Sequence, residues 1–299
     1  MEVRDPIYGA IGVTPSEERV VDDRFVQRLR HIKQVGFSEL AFPGAVHSRY
    51  NHSIGVMHLA ARAFDSALGD FSFSSPARRE ELRACVRLAA LLHDVGHAPF
   101  SHCTEFAMPP LRTLGIVAYR QGVLQQRGEQ RATHEDYTVA IVDQAMAELI
   151  GLNFAFTSRH VAALISREVE LGDDFFVDQG LDLRDLLSQI VSSELDVDRL
   201  DYLVRDSYFS GARYGMVDTH WLLSNLAAHI HDGHVSLALD RRALYAFDDF
   251  LISRYHMFVM VYFHHKSVVY EEMLKRYFTS PSCPYQLPSD LESYLGVDD

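Results

Sequence analysis

Residues 80–95 read EELRACVRLAALLHDV and set Leu82, Cys85, Val86, Ala89 and Leu92 at steps of three and four. That period is one buried face of an α-helix. Arg79, Arg83 and Arg87 fall on another face, and Ser75-Pro76 supplies a helix start. Similar patterns recur at 52–68, 134–150, 158–168, 181–192, 194–208, 218–230 and 243–277. The last is apolar and aromatic throughout, which predicts a long central core helix. Strand alternation is confined to HVSLAL at 234–239 and a short GAIGV at 9–13, expected to pair as a small ribbon. Segment 109–133 is rich in Gly, Gln and Arg, and reads as a loop or flap. Three prolines after Ser280 close the last helix. The expectation is an all-α fold with a small two-stranded β element. It would form one domain over 1–299, with its core at about 5–278 and a C-terminal tail at 279–299.

The helix at 80–95 runs into HDVGHAPFSH, with three histidines and an aspartate in ten residues. Composition narrows what such a cluster can be. Net charge is −13, which argues against a general nucleic-acid binder. The three cysteines, Cys85, Cys103 and Cys283, are odd in number and far apart, so a disulfide framework and a Cys-based zinc site are both disfavoured. The chain has no run of 18 apolar residues and no basic-then-apolar leader, so a cytoplasmic protein without a membrane span is expected.

Adjacent side chains on a helix point about 100° apart. His93 and Asp94 therefore reach one ion only where the helix ends, and Gly96 and Pro99 supply that ending. An imidazole with a carboxylate suits Mn, Fe, Ni, Zn or Co better than Ca. Two ligands are too few, so others must come from separate helices. His52, in HSRYNHSIGVMHLAARAF, is a candidate, with His47 and His58 nearby. ELDVDRLDYLVRD (194–206) offers Glu194, Asp196, Asp198, Asp201 and Asp206 between Leu195, Val197, Leu200 and Leu203. With apolar residues at that spacing, some of these acids must border the buried side, and a buried carboxylate needs a partner. The residues thus point to a two-His, two-carboxylate metal site with arginines nearby. That composition suits metal-assisted hydrolysis of a phosphate ester.

With these blocks in order, the chain resembles the HD-domain phosphohydrolase superfamily. Within it, the chain is similar to the deoxynucleoside triphosphate triphosphohydrolases related to the sterile-alpha-motif and HD-domain protein. The likeness runs from Asp5 to about Met273. It rests on DPIYG at 5–9, QRLRHIKQVG at 27–36, FPGAVHSRYNHSIGV at 42–56, HDVGHAPFSH at 93–102, HE at 134–135 and DVDRLDYLVRD at 196–206.

The resemblance implies one divalent ion (Mn, Fe, Ni, Co, Zn or Mg) held by His52, His93, Asp94 and Asp198. It implies a catalytic group of His97, His102 and His134, with Glu105 where the family carries Asp. It further implies phosphate contacts from Arg49, Arg199 and Arg254, and sugar contacts from Gln34, Val35, Tyr202, Asp206 and Tyr262. The implied reaction releases deoxynucleoside and inorganic triphosphate from a dNTP, in a homo-oligomer. Asp22, Gln27 and Arg30 match effector-base contacts, but the family's lysine before DPI falls on Met1. The relatives' further lobe is mostly absent here, so the resemblance leaves effector regulation open. Two other readings stand beside this one. They are an HD phosphatase on another nucleotide, such as a nucleoside monophosphate, and a nucleotide-binding sensor without turnover.

Overall fold

The computed structural model describes residues 1–282 and 284–299, so Cys283 lies outside the described residues. Helices dominate. The central one is Arg49–Ala67, buried nearly all round. Pro76–Leu92, Val197–Ser210 and Arg184–Val191 pack against it. Ser75 caps Pro76–Leu92 by accepting from the Arg78 amide, and the helix stops just before His93. Its apolar face, Leu82, Cys85, Val86, Ala89 and Leu92, is fully buried. No helix among the described residues is long and apolar enough to cross a membrane.

Gly96 is required where the chain leaves that helix. A Cβ there would lie 2.2 Å from the Thr138 amide nitrogen and 2.4 Å from the His134 carbonyl oxygen. The close approach lets the Gly96 amide donate to Thr138 Oγ1, which in turn donates to the His93 carbonyl, each at 3.0 Å. Thr133 caps His134–Ala140 and so fixes that helix start against the HD turn.

The strands differ from expectation. Gly9–Gly12 pairs with Glu2–Asp5, not with His234–Leu239. The latter pairs antiparallel with Leu226–His231, so the helix expected over 218–230 stops at Ser224. The cause is local: Asp232 and Gly233 take φ values of 50° and 79°, the left-handed pair of a two-residue hairpin turn. Two short strands, Val177–Asp178 and Leu181–Asp182, extend this hairpin into a four-stranded sheet, so the expected helix at 181–192 begins only at Arg184.

The long helix of 243–277 is also broken. Leu244–Met257 runs into a π-helical turn, Phe258–Tyr262, and His264 then caps a separate helix, His265–Phe278. This is an outer element rather than a core helix. Phe250, Met257, Val261 and Ser267 are buried, whereas Tyr245 is 81% and Tyr255 65% exposed. Predicted helix 134–150 likewise carries a π-turn at Ile141–Ala145. Segment 109–133 is irregular apart from short turns and a helix at Val123–Arg127. The expected tail packs back onto the body: Leu287 and Tyr294 belong to the core cluster.

Candidate metal centre and cleft

Three elements meet at one point. Arg49–Ala67 presents His52 one turn from its start. The end of Pro76–Leu92 presents His93 and Asp94, and the first turn of Val197–Ser210 presents Asp198. One ligand atom from each of His52, His93 and Asp94 lies within 4.8 Å of the others. Asp198 closes the remaining side, its Oδ1 3.0 Å from His52 Nε2 and 3.7 Å from His93 Nε2. The Nε2 atoms of both histidines are buried without a hydrogen-bond partner. Opposite each, Nδ1 is committed: His52 to Asp201 at 2.8 Å, His93 to the Ala90 carbonyl at 2.8 Å. That is how a protein fixes the imidazole tautomer that offers a lone pair to a metal.

The electrostatics say the same. Burial alone would favour neutral His52, but Asp198 and Asp201 outweigh it and raise its pKa to about 10. Burial disfavours the Asp94 anion, yet His93, Arg49 and His52 hold it below the usual carboxylate range. Asp198 is likewise lowered, by His52 and His93 against burial. Without a metal, a proton on His52 meets the carboxylates' need for positive charge. Two imidazoles and two carboxylates with this demand fit a divalent transition ion or Mg²⁺.

The centre floors a cleft of about 380 Å³, within the range of small-molecule sites. Gln34, Val35, Arg49, His97, His102, His134, Tyr202, Asp206 and Tyr262 line it. Arg49 bonds Asp94 Oδ2 at 2.5 Å and Ser101 Oγ at 3.1 Å. His97 stacks on His134 with centroids 4.1 Å apart. Burial, reinforced by Arg49 and the neighbouring histidines, keeps His97 neutral by lowering its pKa. Glu105 accepts from His134 Nδ1 at 2.6 Å and lies 3.0 Å from His102 Nδ1. Those two imidazoles, against the effect of burial, hold its carboxyl down at about 2. The glutamate thus reaches both histidines from the position where the family carries an aspartate.

At the other end, Tyr262 donates to Asp206 Oδ2 at 2.6 Å, and His47 Nε2 lies 2.7 Å from Asp206 Oδ1. The π-turn aims Tyr262 at this point, a use such turns often serve. Two expected phosphate contacts lie outside the cleft lining. Arg199 is tied to Asp196 and the Ser193 carbonyl, and Arg254 pairs with Glu194 at 3.4 Å. Sequence spacing did not assign Asp201, Arg205, Asp5 or His47. DVDRLD did carry a signal for Asp201, three residues after Asp198 on the same helix.

A helical scaffold that converges two histidines and two aspartates on a cleft floor is the architecture of an HD domain. The chain belongs to the HD domain family, whose model matches residues 49–206; a second model, the HD associated region, matches 217–281. It is 32% identical over 225 residues to human deoxynucleoside triphosphate triphosphohydrolase SAMHD1, covering 70% of this chain and 33% of that protein. It is 30% identical over 295 residues to the SAMHD1 homolog of Dictyostelium discoideum, covering 97% and 51%. An uncharacterized protein of Methanocaldococcus jannaschii is 28% identical over 274 residues, covering 92% and 48%. The chain spans about half the length of the curated relatives it matches. A crystal structure of a hypothetical protein from Aquifex aeolicus superposes with a TM-score of 0.70 at 31% identity, covering 99% of this chain and 69% of that one.

Proposed function

We propose that the protein hydrolyses deoxynucleoside triphosphates to deoxynucleoside and inorganic triphosphate. The observation that carries this reading is the two-ended cleft. One end holds the His52–His93–Asp94–Asp198 centre and three further histidines. The other holds the Asp206–Tyr262 pair, whose groups suit a sugar hydroxyl. The names of the triphosphohydrolase relatives support it.

His52, His93, Asp94 and Asp198 would hold one divalent ion. Bound there, it would polarise a phosphoryl oxygen and lower the pKa of water. The chain's own groups do the rest. Arg49 and His97 face the phosphates, and neutral His97 adds a donor without charge repulsion from Arg49. Glu105 holds His102 and His134 by their Nδ1 atoms, which leaves Nε2 toward the cleft. A water oxygen bonds to the α-phosphorus as its bond to the 5′-oxygen breaks, and one of these imidazoles, protonated, gives its proton to the departing 5′-oxygen. Tyr202 walls the sugar, Asp206 accepts from its 3′-hydroxyl, and Gln34 and Val35 flank it.

Ion chromatography of products from each dNTP with Mn²⁺ or Mg²⁺ tests the reading. Triphosphate with deoxynucleoside is expected. Orthophosphate alone would make the protein an HD phosphatase of another kind, and binding without release would make it a sensor.

A further inference from the structure

We propose that Asp299 is a positioning residue for the cleft: its carboxylate holds the turn at Phe100 and Ser101, and through Ser101 it aims Arg49. The turn needs holding. Phe100 and Ser101 take φ values of 55° and 58°, two consecutive left-handed residues, neither of them glycine. Such residues persist only where their surroundings fix them. Asp299 does so from outside the loop. Its Oδ1 accepts from the Phe100 amide at 2.5 Å and its Oδ2 from the Lys33 amide at 2.8 Å. One carboxylate thus bridges the two segments that carry cleft residues, Gln34 and Val35 on one side, Ser101 and His102 on the other. Asp299 is itself anchored. Its amide donates to the His31 carbonyl at 3.2 Å, and Arg28 holds the Val297 carbonyl two residues earlier at 2.8 Å.

The left-handed backbone decides where the Ser101 hydroxyl lies. It donates toward the Lys33 and Gln34 carbonyls, at 2.9 and 3.1 Å, and accepts from Arg49 Nε at 3.1 Å. Arg49 Nη1 bonds Asp94, and Nη2 reaches the Gln34 carbonyl at 3.4 Å. The guanidinium is therefore held on three sides, one of which depends on Ser101. Without Asp299 the two left-handed residues are free to relax to ordinary φ, which carries the Ser101 hydroxyl away from Arg49. The Phe100 ring still stacks on Phe37, with centroids 4.9 Å apart, so the loop loses its aim rather than its place.

The part of Arg49 toward phosphate rests on the triphosphohydrolase reading; the hold on the loop does not. The experiment therefore has two readouts, both on the full chain. Hydrogen exchange is followed over residues 98–104, where the Ser101 and Cys103 amides bond within the loop and not to Asp299. Binding of inorganic triphosphate with Mn²⁺ is followed by calorimetry. Asp299 is exposed, so Asp299→Ala opens no cavity and should melt like the wild type. It is expected to speed exchange over that segment and to weaken triphosphate binding, each by about tenfold, the effect of one lost hydrogen bond to a charged group. Asp299→Asn keeps one accepting oxygen and should fall between. Ser101→Ala should weaken triphosphate binding as much as Asp299→Ala, and the double variant should be no weaker than either.

Wild-type exchange in Asp299→Ala would overturn the proposal, as would losses of triphosphate binding that add in the double variant. A wild type that takes up no triphosphate would instead count against the triphosphohydrolase reading, and the exchange rates alone would then decide the role of Asp299.

Discussion

Asp201 Oδ2 lies 2.8 Å from His52 Nδ1, and both side chains are fully buried. The same carboxylate takes Arg205 Nε at 2.7 Å and Nη2 at 2.9 Å, and Arg205 reaches on to Asp5 at 2.8 Å. One residue thus aims a metal-facing imidazole and holds a buried guanidinium. Replacing it touches both. Asp201→Asn should weaken metal binding by about 10- to 100-fold, the usual cost of losing such a partner. It should also cost about 3 kcal/mol of stability, because Arg205 keeps its charge with one carboxylate fewer. Metal titration and chemical denaturation read the two effects separately. Unchanged affinity would show that packing alone orients His52.

The same carboxylate gives a pH signature. Burial raises the Asp201 pKa, but Arg205 and His52 prevail and lower it from 3.8 to about 2. A depressed folded-state pKa stabilises fully above the unfolded value and is lost as pH falls toward the folded one. The window is therefore pH 4 down to 2, with about 2 kcal/mol at stake. Urea melts across that range should show wild type and Asp201→Asn converging as acid protonates Asp201. A constant difference down to pH 2 would contradict the assignment.

Gly55 sits where this network crosses the central helix. A Cβ there would lie 2.1 Å from Asp201 Oδ1 and 2.3 Å from Arg205 Nη2. Gly55→Ala should cost about 3 kcal/mol, at the upper end for overpacking, and loosen metal binding with it. Gly151→Ala is the control. It lies within Ala147–Asn153 with nothing within 4 Å of an added Cβ, so alanine should be neutral or gain about 0.5 kcal/mol. Thermal melts of the pair separate a steric clash from a generic glycine effect.

Asp198 differs from Asp201 in facing His52 Nε2 across the centre rather than bonding the Nδ1 behind it. Its side chain is 33% exposed toward the cleft and carries no buried arginine. Asp198→Ala should remove metal and turnover while leaving the helical circular-dichroism spectrum and melting temperature close to wild type. Retained turnover would sink its assignment as a ligand.

The elements legible in the sequence were those whose pattern and end signals agree. Pro76–Leu92 has a Ser cap, an N-terminal Pro and a clean apolar face, so its start and buried side follow from residues alone, while it stops at Leu92 rather than running on to Val95. The structure brings His52, His93, Asp94 and Asp198 together, residues that spacing and family resemblance had pointed to from three separate blocks. Partners were harder. Asp-Gly at 232–233 signals a hairpin, but the helical-looking LAAHIH before it hid the first strand. The helix expected over 243–277 read as core because apolar content is not burial; only packing shows that Tyr245 and Tyr255 face outward. Arg199 and Arg254 follow the family pattern in sequence yet pair with Asp196 and Glu194, pairings that the motif does not specify.

The C-terminal segment ties the fold to the histidine loop through Tyr294. Its ring stacks on Tyr137 with centroids 4.1 Å apart, its hydroxyl donates to the Gly96 carbonyl at 2.8 Å, and Arg28 lies over it at 4.6 Å. Arg28 in turn donates to the His97 carbonyl at 2.9 Å and the Val297 carbonyl at 2.8 Å. Two substitutions divide these roles. Tyr294→Phe keeps the ring and removes one hydrogen bond, so it should cost about 1 kcal/mol. Tyr294→Ala opens a cavity beneath the loop and should cost about 4 kcal/mol. Because Gly96 and His97 move with that loop, the alanine variant should also lose more turnover than the phenylalanine variant under conditions where both are folded. Equal melting temperatures for the two would mean that residues 287–299 do not brace the site.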